Sequence, residues 1–235
     1  MIANLPIYIS VTFVLTTLAT LLFFYFSVKN SSLETTRKKA TLVILVSLFW
    51  LALQAILALL NIYNSSTNSL PPRIAIFGIL PTMLFLVILF FTKNGKQFID
   101  SLALKTITYL NVIRIPVELV LFWLFINKAI PQIMTFEGLN FDIVAGISAP
   151  IVAYLVFTKN KLNKTFLLIW NFACLALLIN IIVIAFISAP SPLQKIAFEQ
   201  PNMAILNFPF CWLPTFVVPI VLFGHFVSIR QLLKK

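Results

Sequence analysis

Seven long apolar runs, separated by short polar clusters, make up the chain: residues 6–28, 40–62, 74–92, 106–126, 141–157, 166–187 and 206–229. Most are near the roughly 20 apolar residues with which an α-helix crosses a bilayer. The runs do not alternate apolar with polar at every second position, as strands of an outer-membrane barrel do. The pattern therefore predicts an all-α membrane protein, a seven-transmembrane-helix bundle forming a single domain over residues 1–235. The first run has no basic leader and is too long for the core of a signal peptide, so it reads as a retained helix. Prolines fall inside the third, fourth, fifth and seventh runs (Pro81; Pro116; Pro150; Pro209, Pro214 and Pro219). Broken helices at membrane depth usually line a cavity.

Charge adds an orientation. The first, third and fifth connections and the C-terminal tail hold Lys29, Arg37, Lys38, Lys39, Lys93, Lys96, Lys105, Lys159, Lys161, Lys164, Arg230, Lys234 and Lys235. The alternate connections hold Arg73, Lys128 and Lys195. Basic residues accumulate in cytosolic loops, so the N-terminus is expected outside, the C-terminus in the cytosol, and the protein in the cell inner (cytoplasmic) membrane. Composition agrees: 61% of residues are hydrophobic and 10% charged, against about 25% charged in soluble domains. The net charge of +11 is spread over short interhelical clusters. That is the signature of membrane orientation and argues against a nucleic-acid groove.

Polar residues inside apolar runs are the candidates for chemistry. Arg114 lies about 12 Å into the fourth run at 1.5 Å per residue, where a charge costs about 2.5–3.5 kcal/mol on insertion scales. It needs a partner. Glu118, four residues on, and Asn111, three back, share its helix face, so an Arg114–Glu118 pair is expected. Pro116 frees a carbonyl near residue 112 that can accept from Arg114 or from water. Glu137, Asn140 and Asp142 follow on the outer connection beside Gly138, as a helix cap or as an outer rim gathering a ligand. Asn180 falls in the outer half of the sixth run. This distribution predicts an outward-open cavity floored by Arg114, whose cation suits a carboxylate while the acidic rim suits an amine. His225, the single histidine, reads as a packing residue or a polar relay. No metal site is expected, because the chain lacks HExxH and a second histidine. Cys174 and Cys211 read as small buried side chains, and no cofactor is indicated. Retinal attachment needs a lysine deep in the last helix, where the first is Lys234.

Three stretches, Arg114-Ile-Pro-Val-Glu118, Met134-Thr-Phe-Glu-Gly-Leu-Asn-Phe-Asp142 and Asn207-Phe-Pro-Phe-Cys-Trp-Leu-Pro214, resemble uncharacterised multi-span membrane proteins of bacteria. The resemblance covers the second half of the chain and implies no function. The residues themselves favour a small transporter or permeation pathway for a small polar or zwitterionic solute, with Arg114, Glu118, Asn111, Glu137, Asn140, Asp142 and Asn180 binding it. Two other classes stay open: a membrane sensor or partner subunit, and an intramembrane lipid-modifying enzyme with Glu118, Asp142 or His225 as acid or base. Expected partners are membrane lipids, the small polar ligand, and a protein partner or second copy; nucleic acid is not among them.

Overall fold

A helix that is apolar on every side has lipid or other helices for solvent, and the chain folds accordingly. The computed structural model describes all residues except Met1, Ala3, Ser66, Thr67, Asn68 and Lys235; Lys235, counted above with the basic tail, thus lies outside the described residues. Among the described residues there is no strand. Within the same described residues, five helical stretches are long and apolar enough to cross a membrane: Ile7–Lys29, Glu34–Leu59, Leu104–Ile126, Lys164–Ser188 and Leu213–Leu233.

Helix α1 is Ile7–Lys29, followed by the short α2 (Glu34–Arg37) and by α3 (Ala40–Leu59). A π-helical turn, Ala75–Ile79, leads into α4 (Leu80–Phe91). At Thr92 the backbone becomes extended, and α5 (Lys93–Ser101) leaves at 92° to the preceding helix. The Thr92 hydroxyl accepts from the Gly95 amide at 3.2 Å, which caps α5. Residues 93–101, read above as loop, are thus an amphipathic helix with Phe98 and Ile99 buried and Lys93 and Gln97 exposed. Helices of that kind lie along an interface.

The fourth run contains two helices, α6 (Leu104–Leu110) and α7 (Arg114–Ile126), joined by the 3-10 turn Asn111–Ile113. Pro116 lies in the first turn of α7, where a missing amide is tolerated. Next come α8 (Asp142–Phe157), α9 (Lys164–Ser188) and, after the π-turn Leu213–Val217, α10 (Val218–Leu233). The last helical stretch starts at Leu213, later than the apolar run at 206 suggested. Residues 206–212 instead form turns in which the Cys211 amide returns to the Asn207 carbonyl.

The main core joins α1, α7, α9 and the turns before α10, with Phe13, Leu110, Leu124, Leu178 and Phe210 sealed inside. Helices α3 and α4 stand at the edge and expose most of their apolar surface. On α8, Asp142, Ala145, Gly146, Ala149 and Ala153 are all buried. Small residues at three- and four-residue spacing let helix backbones approach closely. A Cβ on Gly146 would lie 2.8 Å from Ile115 Cγ1 and 2.9 Å from the Ile115 backbone nitrogen. Glycine there brings α8 against the start of α7. Asp142 lies one turn earlier on the same face.

Candidate functional site

That approach decides who partners Arg114. Arg114 Nε donates to Asp142 Oδ2 at 2.6 Å, and Nη2 donates to Asp142 Oδ1, a two-point ion pair between α7 and α8. Nη2 also donates to the Cys174 carbonyl of α9 at 3.1 Å. Nη1 faces His225 Nε2 of α10 at 3.4 Å. The expected Arg114–Glu118 pair is therefore corrected to Arg114–Asp142. Side chains lean toward the N-terminus of their helix, and the cation-first order of Arg114 and Glu118 is the weaker i,i+4 arrangement. Asp142, arriving on another helix, offers both oxygens in the fork geometry a guanidinium matches. The carbonyl near residue 112 is not where the Arg114 donors go.

Glu118 bonds elsewhere. Its Oε1 accepts from Asn140 Nδ2 at 2.6 Å, and the same nitrogen donates to the Met134 carbonyl at 3.0 Å. Asn140 Oδ1 accepts from the Asp142 amide at 3.1 Å, so Asn140 makes an Asx turn into α8 while holding Glu118. Glu118 Oε2 is buried without a hydrogen-bond partner, as is Asn111 Oδ1; the Asn111 amide donates only to the Ile107 and Thr108 carbonyls of its own helix. The cluster has one guanidinium matched by one carboxylate, and Glu118 has no cation of its own.

His225 belongs to this network. A guanidinium only donates, so Nε2 accepts, and Nδ1 carries its hydrogen toward Asn171 Oδ1, 3.0 Å away. Asn171 in turn donates to the Leu167 carbonyl at 2.8 Å. The structure thus gathers Arg114, Glu118, Asn140, Asp142 and His225 in one buried region and adds Asn171, while Asn111 is buried but bonded only to its own helix. Glu137 and Asn180 are exposed and outside it. Asn180 Nδ2 donates to the Leu139 carbonyl at 2.7 Å, pinning the connection before α8 to α9. The expected outward-open cavity is not found above Arg114, which is 2% exposed, with Glu118 at 1% and Asn140 at 0%.

All these residues lie within one matched region. The sequence profile of a family described as Domain of unknown function (DUF8737) matches residues 71–233. The chain belongs to that family. No curated protein and no solved structure matches the chain.

The DUF8737 match opens just before the first π-turn, and this turn is part of a second polar seam absent from the sequence reading. The two π-turns, Ala75–Ile79 and Leu213–Val217, pack on each other and on α3. A Cβ on Gly78 would lie 2.4 Å from Thr215 Cγ2 and 3.0 Å from Gln54 Oε1. Thr82 Oγ1 donates to the Gly78 carbonyl at 3.0 Å and lies 3.2 Å from the Thr215 carbonyl, which also accepts from Trp50 Nε1 at 3.0 Å. Gln54 Nε2 donates to the Phe77 carbonyl at 3.1 Å, and Tyr63 donates to Gln54 Oε1. π-turns leave backbone groups to be satisfied by such side chains, and they recur at functional sites. One signal was available: the tripeptide Leu-Pro-Thr occurs twice, at residues 80–82 and 213–215.

Proposed function

We propose that this chain is a transporter for a small zwitterionic solute, seen with its central site closed. The observation that carries the reading is the 3-10 break at Asn111–Ile113, in mid-span. It immediately precedes Arg114 of the buried Arg114–Asp142 pair, and two oxygens of the same stretch, Glu118 Oε2 and Asn111 Oδ1, are buried without partners. Intramembrane ionisable groups at helix breaks are where transporters bind substrate. A carboxylate has the shape to replace Asp142 on Arg114, and an ammonium group supplies the donor that Glu118 Oε2 lacks. Asn140 and the Asn180–Leu139 bond hold the covering connection in place until it opens.

The same reading completes the topology. The stretch Ala75–Phe91, from which α5 bends away along the interface, and the 16-residue α8 join the five long helices to make seven spans. At 1.5 Å per residue α8 covers about 24 Å, short of the ~30 Å hydrocarbon layer, so its ends draw polar connections inward. Alternating basic connections put the N-terminus outside, the C-terminus in the cytosol and the protein in a bacterial inner membrane. Cysteines introduced at Gln132 and Asn160, exposed beyond opposite ends of α8, should then label from outside and only after permeabilisation, respectively. Labelling of both from one side refutes the topology.

A second reading has one observation in its favour: Arg114 directs its bonds to protein groups, as a structural lock in a sensor or partner subunit does. The lipid-enzyme reading gains nothing, because none of Glu118, Asp142 or His225 lines the apolar fissure bounded by Leu121, Met134, Ile181 and Leu213. Proteoliposomes holding the full chain decide between transport and lock. Uptake of a radiolabelled amino-acid mixture by wild type, abolished in Glu118→Gln with folding intact, is the expected result. A folded wild type that accumulates none of the mixture, and whose unfolding temperature none of it raises, overturns the transport reading.

A further inference from the structure

We propose that the groove between α4 and α10 is a binding site for one anionic phospholipid. The inference is independent of transport and rests on the chain spanning a membrane. Helix α4 stands away from α10 and leaves a groove of about 640 Å³, within the range of built ligand sites. Leu86, Phe90, Leu222 and Phe226 line it, and Arg230 and Lys234 line one end. Phe90 stacks edge-on against Phe223 and Phe226 at 6.0 and 6.1 Å between ring centroids, which gives the groove an aromatic floor. From Leu222 to Lys234 the α10 wall rises about 18 Å at 1.5 Å per residue, close to the roughly 15 Å of one leaflet's hydrocarbon. Its length therefore fits an acyl chain, with a headgroup at the basic end.

Among the described residues, three charged side chains meet at that end. Arg230 Nε donates to Asp100 Oδ1 at 2.7 Å and Nη2 to Oδ2 at 3.1 Å, and Lys234 pairs with Asp100 Oδ2. Two cations share one carboxylate, so the group carries one net positive charge. Lys234 keeps two further hydrogens to donate, and its side chain is half-exposed. A phosphodiester brings the matching single negative charge and acceptor oxygens for those donors. Asp100 holds both basic side chains at the end of the apolar groove and offsets one of their two charges. Phosphate recognition and chain burial together mark a phospholipid.

The test uses the delipidated full chain in neutral detergent, offered equal amounts of phosphatidylglycerol and phosphatidylcholine, with bound lipid read by native mass spectrometry. Wild type should retain phosphatidylglycerol roughly five-fold over phosphatidylcholine, the effect of about one net charge at a lipid headgroup. Arg230→Gln with Lys234→Gln should remove the preference. Asp100→Asn releases both cations and should raise it, an effect that a merely structural ion pair does not produce. Val87→Trp, which fills the groove and leaves the charges, should reduce retention of both lipids. Equal retention of the two lipids by wild type overturns the proposal. So does an Asp100→Asn protein that loses the preference, or displacement of phosphatidylglycerol by inorganic phosphate alone.

Discussion

Replacing Asp142 with Asn should damage the protein far more than replacing Glu118 with Gln, although both remove one buried carboxylate. The Arg114 and Asp142 side chains are 3% and 8% exposed, and their pair is held by two charge-assisted hydrogen bonds. Asparagine offers one acceptor and no charge, which leaves the guanidinium buried without a counter-ion. Breaking a buried pair from one side costs about 3–5 kcal/mol. Glu118 carries no such duty. Glutamine keeps an oxygen for Asn140 and turns one charge-assisted bond into a neutral one, a loss of about 1 kcal/mol. Removing a desolvated carboxyl that has no cation offsets part of that loss. Arg114→Met combined with Asp142→Leu should recover most of the Asp142→Asn loss, but not all. The Cys174 carbonyl and His225 Nε2 lose their donor, at about 1 kcal/mol or more each. Reversible unfolding of purified protein in mixed micelles measures all four proteins on one scale. Equal losses in Asp142→Asn and Glu118→Gln, or an Asp142→Asn protein as stable as wild type, would falsify the assignment of Asp142 as the Arg114 partner.

Other consequences follow from close contacts and from the basic end of α10. Gly78→Ala drives a methyl into Thr215 Cγ2 and should cost about 1–3 kcal/mol by overpacking. Adding Thr215→Ser removes that methyl, keeps the hydroxyl bonded to the Cys211 carbonyl, and should restore much of the unfolding temperature. Gly146→Ala meets Ile115 backbone, which cannot rotate away; the same micelle assay should show a larger loss than Gly78→Ala, and solute uptake should fall because α8 no longer seats Asp142 on Arg114. Partial burial pushes the Asp100 carboxyl up, but hydrogen bonds and charge from Arg230 and Lys234 outweigh it and hold the group below its ordinary value of 3.8. Its contribution to stability is present in full above that ordinary value and drains away as pH falls through the lower folded value. Unfolding temperatures of wild type should therefore decline more steeply than those of Asp100→Asn in that acid window, and parallel declines would refute the coupling.

Helices and their rough limits were legible in the sequence because lipid is an undiscriminating solvent. A run of about 20 apolar residues is helical in it whatever lies next door, since every backbone group must bond within the segment. Residues 6–28 and 166–187 became Ile7–Lys29 and Lys164–Ser188 on that ground alone. Boundaries failed where polar side chains or turns compete with the apolar rule. Thr92 caps a separate helix over residues 93–101, and the proline-rich approach to the last span delays its start to Leu213.

The candidate site divides in the same way. Arg114, Asn140 and Asp142 stood out because charge or amide in an apolar context is costly and must be satisfied somewhere. Which partner satisfies which was decided by packing between helices. The choice of Asp142 over Glu118 turns on how closely α8 approaches α7, and that depends on Gly146 and the alanines beside it, whose spacing carries no charge to notice. Asn171 and His225 lie 54 residues apart in sequence and 3.0 Å apart in space. Local periodicity depends only on a residue's neighbours in the chain, so it places polar groups on helix faces. Only the tertiary arrangement turns those faces toward one another.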